Sequence, residues 1–405
     1  MTRVLMTLPD VAWPVDAGKR LRMASVVRAV AARADVDVAV LFAAADPALR
    51  PVPPEVEPGR WTVLPPASRP RWRTAGLAVA HLVPWQVAVQ PWDEVRRRLA
   101  GWSGPYDLVW FGALDHAVSL AGAVAAPRVV VDCDDVESEK LRCFLRLPAS
   151  ATLPRRDRLQ RRLELPLWER VQRRVLRLAD AVLVCSDLDA ERLRRVAPVG
   201  TADRVAVVPN TYPEPDCPLD RRPVGACTVV TIGDYGNDQN VDAAGFAVEQ
   251  VLPALLARVP GARLRLIGRR AERVGGLRGR PGLDLVGPVD DVRAELATAH
   301  AVLVPIRYGG GTRLKILEAL ALGVPVVTTP LGAEGLAVVA GEHVLVADDA
   351  AGLADALALV TADADLAQRL ATAGHRLYEQ LYRPAAATAA VGAVLGRVLS
   401  LSPAS

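Results

Sequence analysis

Residues 301–329 read AVLVPIRYGGGTRLKILEALALGVPVVTT, and that order of residue types admits few folds. Residues 301–306 form an apolar run long enough only for a strand. Gly309, Gly310 and Gly311 then break it, and a helix-period segment follows from near Thr312. A second β-branched run covers 324–329, so the order is strand, glycine turn, helix, strand. Such a turn aims a helix N-terminus and several backbone N–H groups at one point, which suits a phosphate or pyrophosphate. Arg313 and Lys315 stand there too, with the carboxylate of Glu318 close to one turn after Lys315. The spacing predicts a nucleotide-diphosphate site.

The rest of the chain repeats the alternation of apolar runs and helix-period segments expected of parallel sheets covered by helices. In the first half the spacing predicts strands at 4–8, 36–42, 61–64, 108–111, 129–133, 181–185 and 205–208, with helices at 19–33, 93–100, 113–124, 155–178 and 188–196. Residues 209–224, PNTYPEPDCPLDRRPV, carry five prolines and no apolar period, which marks a domain boundary. The alternation then restarts, with strands at 228–232, 264–267 and 283–286, a helix at 241–259, and further helices at 350–360 and 364–378. The expected organisation is a first domain at 1–212, a linker at 213–225, a second domain at 226–383, and a helical tail at 384–405 that packs on either domain. A length of 405 residues suits two or more domains. Each half begins with a strand-to-glycine turn, so a nucleotide-sized ligand is expected in a cleft between two doubly wound halves.

Composition removes several functions. The 49 basic and 45 acidic residues leave a formal charge of +4, so bulk charge implies no nucleic-acid partner. Lysine occurs only at 19, 140 and 315, and one of these falls inside the glycine motif. Cys133, Cys143, Cys185, Cys217 and Cys227 are odd in number and lack C-x-x-C spacing, which indicates neither a disulfide framework nor zinc and fits a cytoplasmic, reducing compartment. The N-terminus has no apolar stretch of signal-peptide length, and residues 74–90 fall short of a membrane span, so a soluble chain is expected.

PIRYGGGTRLKILEALALGVPVVTTPLGAEGL resembles the nucleotide-sugar site of glycosyltransferase family 4, retaining enzymes of the GT-B fold. PDVAWPVDAGKRLRM, VVVDCDDVES, ADAVLVCSDLD, VAVVPN and TIGDYGNDQNVDAAGF extend the resemblance in the same order along the chain. The resemblance implies two Rossmann-like domains and hexosyl transfer from a nucleotide-diphosphate sugar to a hydroxyl acceptor, with neither cofactor nor metal. Gly233, Gly309, Gly310, Gly311, Thr312, Arg313, Lys315 and Glu318 are the implied donor-binding positions. Glu318 matches the second carboxylate of the family's Glu-x7-Glu motif, which grips the ribose, and a carboxylate can accept from two hydroxyls. The first glutamate of that motif would fall at Gly310, and its absence puts the sugar contact in question. GDYGNDQN also lacks the Arg and Lys that many members carry after the first strand of the second domain, since Asn237 and Asp238 supply no positive charge.

Arg313 and Lys315 are expected to compensate through charge-assisted contacts to the leaving diphosphate, together with the N–H groups of Gly311 and Thr312. The alternative is an ordinary solvated helix end with a Lys315–Glu318 surface contact. Cations at a helix N-terminus oppose the macrodipole, which favours phosphate binding. The acceptor is expected on the first domain, near the Gly18 loop and the carboxylates after Cys133. Asp134 is a candidate for catalysis or acceptor positioning; Asp135 and His116 are further acceptor-side candidates. Asp132, Asp134 and Asp135 also admit a cation site or helix capping, and His116 admits a purely structural place. His81, His300, His343 and His375 are read as structural.

Residues 155–177 hold nine arginines, with Leu159, Leu163, Leu167 and Val171 at every fourth position. That pattern fits either a helix packed on the sheet or weak peripheral contact with an anionic membrane carrying a lipid-linked acceptor. Two rival functions remain open: a nucleotide-sugar epimerase of the same architecture, and a sugar-nucleotide-binding subunit without catalysis.

Overall fold

The computed structural model describes residues 2–15, 18–43, 50–102, 105–147, 155–217 and 219–401. The chain divides into two compact units, Met1–Asn210 with Ala385–Ser405, and Thr211–Pro384. The first holds β1 (Arg3–Leu8), β2 (Asp35–Val40), β3 (Arg60–Val63), β4 (Leu108–Phe111), β5 (Val129–Asp132), β6 (Ala181–Val184) and β7 (Val205–Val207). The second holds β8 (Thr228–Ile232), β9 (Arg263–Ile267), β10 (Leu283–Gly287), β11 (Ala301–Val304), β12 (Val326–Thr328) and β13 (Leu345–Val346). All the strand pairings are parallel, in the orders β3-β2-β1-β4-β5-β6-β7 and β10-β9-β8-β11-β12-β13.

Parallel strands need crossovers, and the crossovers here put helices on both faces, so the strands read as continuous apolar runs. In the first unit one face packs Val4, Met6, Val38, Trp110 and Val130 under helix Gly18–Ala31. The C-terminal helix, Pro384–Ser400, adds Ala387, Val391, Leu395 and Val398 to that same core. The opposite face packs Leu5, Val109, Phe111, Val131 and Val182 against Trp92, Trp168, Val171 and Val175. In the second unit Val230, Val302, Val304 and Val326 bury Ile316, Leu317 and Leu320 of helix Leu314–Ala321. Each of these aliphatic side chains, fully buried, contributes about 1.5–3 kcal/mol.

Several elements depart from the sequence pattern for local reasons. The strand expected to reach residue 42 stops at Val40, because Phe42 turns the chain with φ at 59°. The helix expected at 241–259 begins earlier, as Asp238–Phe246, opens into one π-helical turn at Ala247–Val251, and resumes as Leu252–Arg258. Pro253 has no N–H to return to the preceding turn, which accounts for the widening just ahead of it. Of two unexpected helices, Arg71–His81 buries only Thr74, and Glu137–Arg146 buries Ser138, Leu141 and Phe144.

Strand order reverses between β1 and β4 in the first sheet and between β8 and β11 in the second. Ligands of open parallel sheets collect beyond the strand carboxyl ends at such a switch point. Gly233 follows β8 and the Gly309–Gly311 turn follows β11, so both border the second switch point.

Candidate functional site

In the second unit the glycine turn adopts backbone that other residues disfavour. Gly309 has φ 142° and Gly311 φ 66°. A Cβ on Gly309 would collide with Oε1 of Gln239 and lie 3.1 Å from a guanidinium nitrogen of Arg313. The entry to the turn is fixed by Arg307, whose Nε and Nη2 donate to the Asp242 carboxylate at 3.0 and 2.5 Å while its guanidinium lies over the Phe246 ring.

Helix Leu314–Ala321 starts two residues later than its pattern suggests, with Arg313 as N-cap. An arginine has no acceptor to offer the N–H groups of a first turn. Its buried guanidinium donates instead to the Gly310 carbonyl. Lys315 is half-buried. Its Nζ donates to Asn240 Oδ1 at 3.0 Å, and burial together with the Arg313 charge lowers its pKa to about 8. Glu318 accepts from the Tyr212 hydroxyl at 2.7 Å; burial raises its pKa, against the pull of Tyr212 and Lys315.

Asn240 links this helix to the loop after β8. Its Nδ2 donates to the Asp234 carbonyl at 2.8 Å, and a Cβ on Gly233 would come within 3.2 Å of its amide carbon. A larger residue at 233 would therefore press on the Asn240 side chain that Lys315 meets. Cations absent from GDYGNDQN arrive from the turn after β9, where Arg269 and Arg270 hold Asp234, and Arg273 holds Asp238 at 2.9 Å. Those arginines are matched by carboxylates, whereas Lys315 donates to Asn240 and feels the Glu318 charge a turn away. The structure thus brings Gly233, Gly309–Gly311, Thr312, Arg313, Lys315 and Glu318 to one edge of the second sheet. Sequence reasoning missed Gln239, Asn240, Arg307 and Tyr212, although NDQN just after a strand and a single arginine before GGG were available as signals.

In the first unit the carboxyl edge carries a different arrangement. Arg22, 3% exposed, donates through Nη2 to Asp132 Oδ1 at 2.6 Å, and through Nη1 to the Val208 carbonyl at 3.0 Å and Asn210 Oδ1 at 2.8 Å. Asp134 lies 3.6 Å from Arg22 Nε. Burial works against the Arg22 charge, but Asp132 and Asp134 outweigh it and raise its pKa. Burial raises Asp134 to about 6, with Arg22 pulling the other way and Asp135 and Asp132 adding to the rise. Asp135 pairs with Lys140 at 3.1 Å. Helix Glu137–Arg146 has Val136 as its N-cap without a side-chain bond, so the aspartates do not cap it.

Gly18 is the first residue of helix Gly18–Ala31. His116 is buried, with Nδ1 2.9 Å from Thr7 Oγ1, and burial lowers its pKa. His300 and His343 accept from backbone N–H groups, and His375 lies against the Leu320 carbonyl. Among the described residues no group of three or more His, Cys, Asp or Glu is arranged to hold a metal ion. Asp132 and Asp135 are instead met by Arg22 and Lys140.

The Asp134 shift has a measurable consequence. Its native pKa of about 6 lies above the ordinary 3.8, so the native state holds this proton more tightly than the unfolded chain. The stability carried by the proton is complete below pH about 3.8 and is lost as pH rises to about 6. Asp134→Asn should gain stability relative to the parent protein across that interval, measured by denaturant unfolding at a series of pH values. Parallel profiles would contradict the shift.

Residues 226–363 match the family model for glycosyl transferases group 1. A segment of 132 residues is 33% identical to an exopolysaccharide phosphotransferase of Streptomyces coelicolor, covering 31% of this chain and only 13% of that protein's length. Among solved structures, sucrose-phosphate synthase of Thermosynechococcus elongatus superposes with a TM-score of 0.70 at 18% identity, over 99% of this chain and 100% of the other. Anabaena HepE, in complex with UDP and glucose, gives 0.64 at 15% identity over 99% and 100%. The family match lies within the second unit, and the solved structures share the two-sheet GT-B fold along the chain.

Proposed function

We propose that the chain is a retaining glycosyltransferase of the family 4 type, moving a hexose from a nucleotide-diphosphate sugar to a hydroxyl acceptor without a metal ion. The observation that carries this reading is the pair of cations at the start of helix Leu314–Ala321, Arg313 and Lys315, close behind the Gly309–Gly311 turn at a switch point. Like charges at the positive end of a helix repel each other and the macrodipole, so an anion bound there is favoured. A diphosphate is such an anion.

In the proposed reaction the bond from the anomeric carbon to the leaving phosphate oxygen breaks as the acceptor oxygen bonds to the same face of that carbon. The acceptor proton passes to the departing diphosphate. Negative charge grows on the β-phosphate, and Arg313, Lys315 and the N–H groups of Gly311 and Thr312 stabilise it. Glu318 accepts from the ribose hydroxyls. The acceptor binds on the first unit near Asp134, whose pKa of about 6 leaves it mostly ionised at neutral pH and able to accept from a sugar or lipid-linked hydroxyl. Gly310 in place of a glutamate implies that the sugar hydroxyls are held by other groups than in the family pattern. HepE was solved with UDP, which makes UDP-hexoses the first donors to test.

Helix Arg155–Leu178 supports the membrane reading through Leu159 and Leu163, 59% and 64% exposed among arginines. No helix among the described residues is long and apolar enough to cross a membrane. Contact would therefore be peripheral, and the protein should sediment with liposomes containing anionic lipid more than with neutral ones. Equal recovery from both removes this contact.

Glu318→Ala should weaken donor binding by about 1.5–3 kcal/mol, the scale of hydrogen bonds to a charged group. Arg313→Ala should lower kcat more than it raises KM, because its contact strengthens as the diphosphate leaves. Calorimetry and steady-state kinetics with a panel of nucleotide sugars check both. Isomerised donor would favour an epimerase, and binding without turnover a non-catalytic subunit.

A further inference from the structure

Glu318 does not stand alone. Its Oε1 accepts from the Tyr212 hydroxyl at 2.7 Å, and Tyr212 is itself held from behind. Tyr212 N donates to the Tyr382 carbonyl at 3.1 Å, while the Tyr378 hydroxyl lies 3.1 Å from both the Tyr212 and the Pro213 carbonyl oxygens. The Tyr382 hydroxyl in turn accepts from Ala337 N at 2.7 Å. Tyr378 is 1% exposed and Tyr382 6%. Three of the six tyrosines in the chain thus form one bracket.

The bracket rests on a rigid support. Helix Ala364–Leu381, which carries Tyr378, lies so close to helix Leu314–Ala321 that a Cβ on Gly374 would come 2.5 Å from Leu320 Cδ2. Lys315, one turn from Glu318, donates to Asn240 and acts on the glutamate through its charge. A glutamate side chain has several rotamers, and a single hydrogen bond from a braced phenol selects among them. With Oε1 so occupied, Oε2 keeps its full accepting capacity.

We infer that Tyr212 is the positioning residue for nucleotide recognition: held by Tyr378 and Tyr382, it orients Glu318 so that Oε2 receives the ribose 2′-hydroxyl. The inference rests on the nucleotide-sugar reading of the site and adds a residue outside the glycine motif. It makes a selective claim. Tyr212 acts on the ribose contact alone, so its loss weakens ribonucleotides and spares nucleotides that lack the 2′-hydroxyl.

The test uses the full chain and the pairs UDP and dUDP, GDP and dGDP, and ADP and dADP, with affinities from calorimetry. The parent protein should prefer the ribonucleotide of its best pair by about tenfold or more, as expected for a hydrogen bond to a charged group. Tyr212→Phe, which keeps the ring and its packing, should cut that preference to about threefold or less with the deoxynucleotide affinity unchanged. In a Glu318→Gln background the same substitution should have no further effect on the preference. A preference that survives Tyr212→Phe, or an equal loss for both members of the pair, overturns the inference while leaving the nucleotide site intact. If no diphosphate binds the parent protein, the reading of the site itself falls and this inference with it.

Discussion

The arrangement of the second unit turns on one electrostatic imbalance. Arg313 and Lys315 bring two cations to the start of helix Leu314–Ala321, where the macrodipole is already positive. Burial lowers the Lys315 pKa to about 8, a sign that its charge is poorly compensated within the protein. Glu318 is the nearby carboxylate, and its charge is shared with the Tyr212 hydroxyl. Packing of Ile316, Leu317 and Leu320 beneath the helix offsets the cost of holding these groups in place. The Gly309–Gly311 turn and the narrow space above Gly233 then bring backbone and Asn240 up to the same cations.

The first unit solves a similar problem in the opposite way. Arg22 is also a buried cation at a sheet's carboxyl edge, but Asp132, Asp134, Asn210 and the Val208 carbonyl surround it. Its charge is spent internally, as a buried arginine requires. Asp134 lies at the edge of this cluster, 3.6 Å from Arg22 Nε, while the second unit sets the charges of Arg313 and Lys315 against each other.

Much of this was legible in the residue order. The strand, glycine turn and helix at 301–329 follow from apolar run length and three consecutive glycines, and the same motif carries Lys315 and Glu318. Arg22 was not legible, because within KRLRMAS it looks like any polar helix position and its partners lie more than a hundred residues away. Tyr212 was hidden for another reason: it sits in a proline-rich segment whose composition announces a boundary and says nothing of where one side chain points. The π-helical turn before Pro253 and the left-handed Phe42 are local backbone effects that a hydrophobic period does not record.

The claim that an anion completes the second-unit site is tested most directly by proton linkage. With a pKa of about 8, Lys315 is half neutral at pH 8, and a diphosphate placed against it would raise that value. Calorimetric titration of UDP at pH 8, in buffers of different ionisation enthalpy, should therefore report uptake of up to about half a proton per site, and Lys315→Met should abolish the uptake. Tight binding with no proton taken up, or with protons released, would contradict the account.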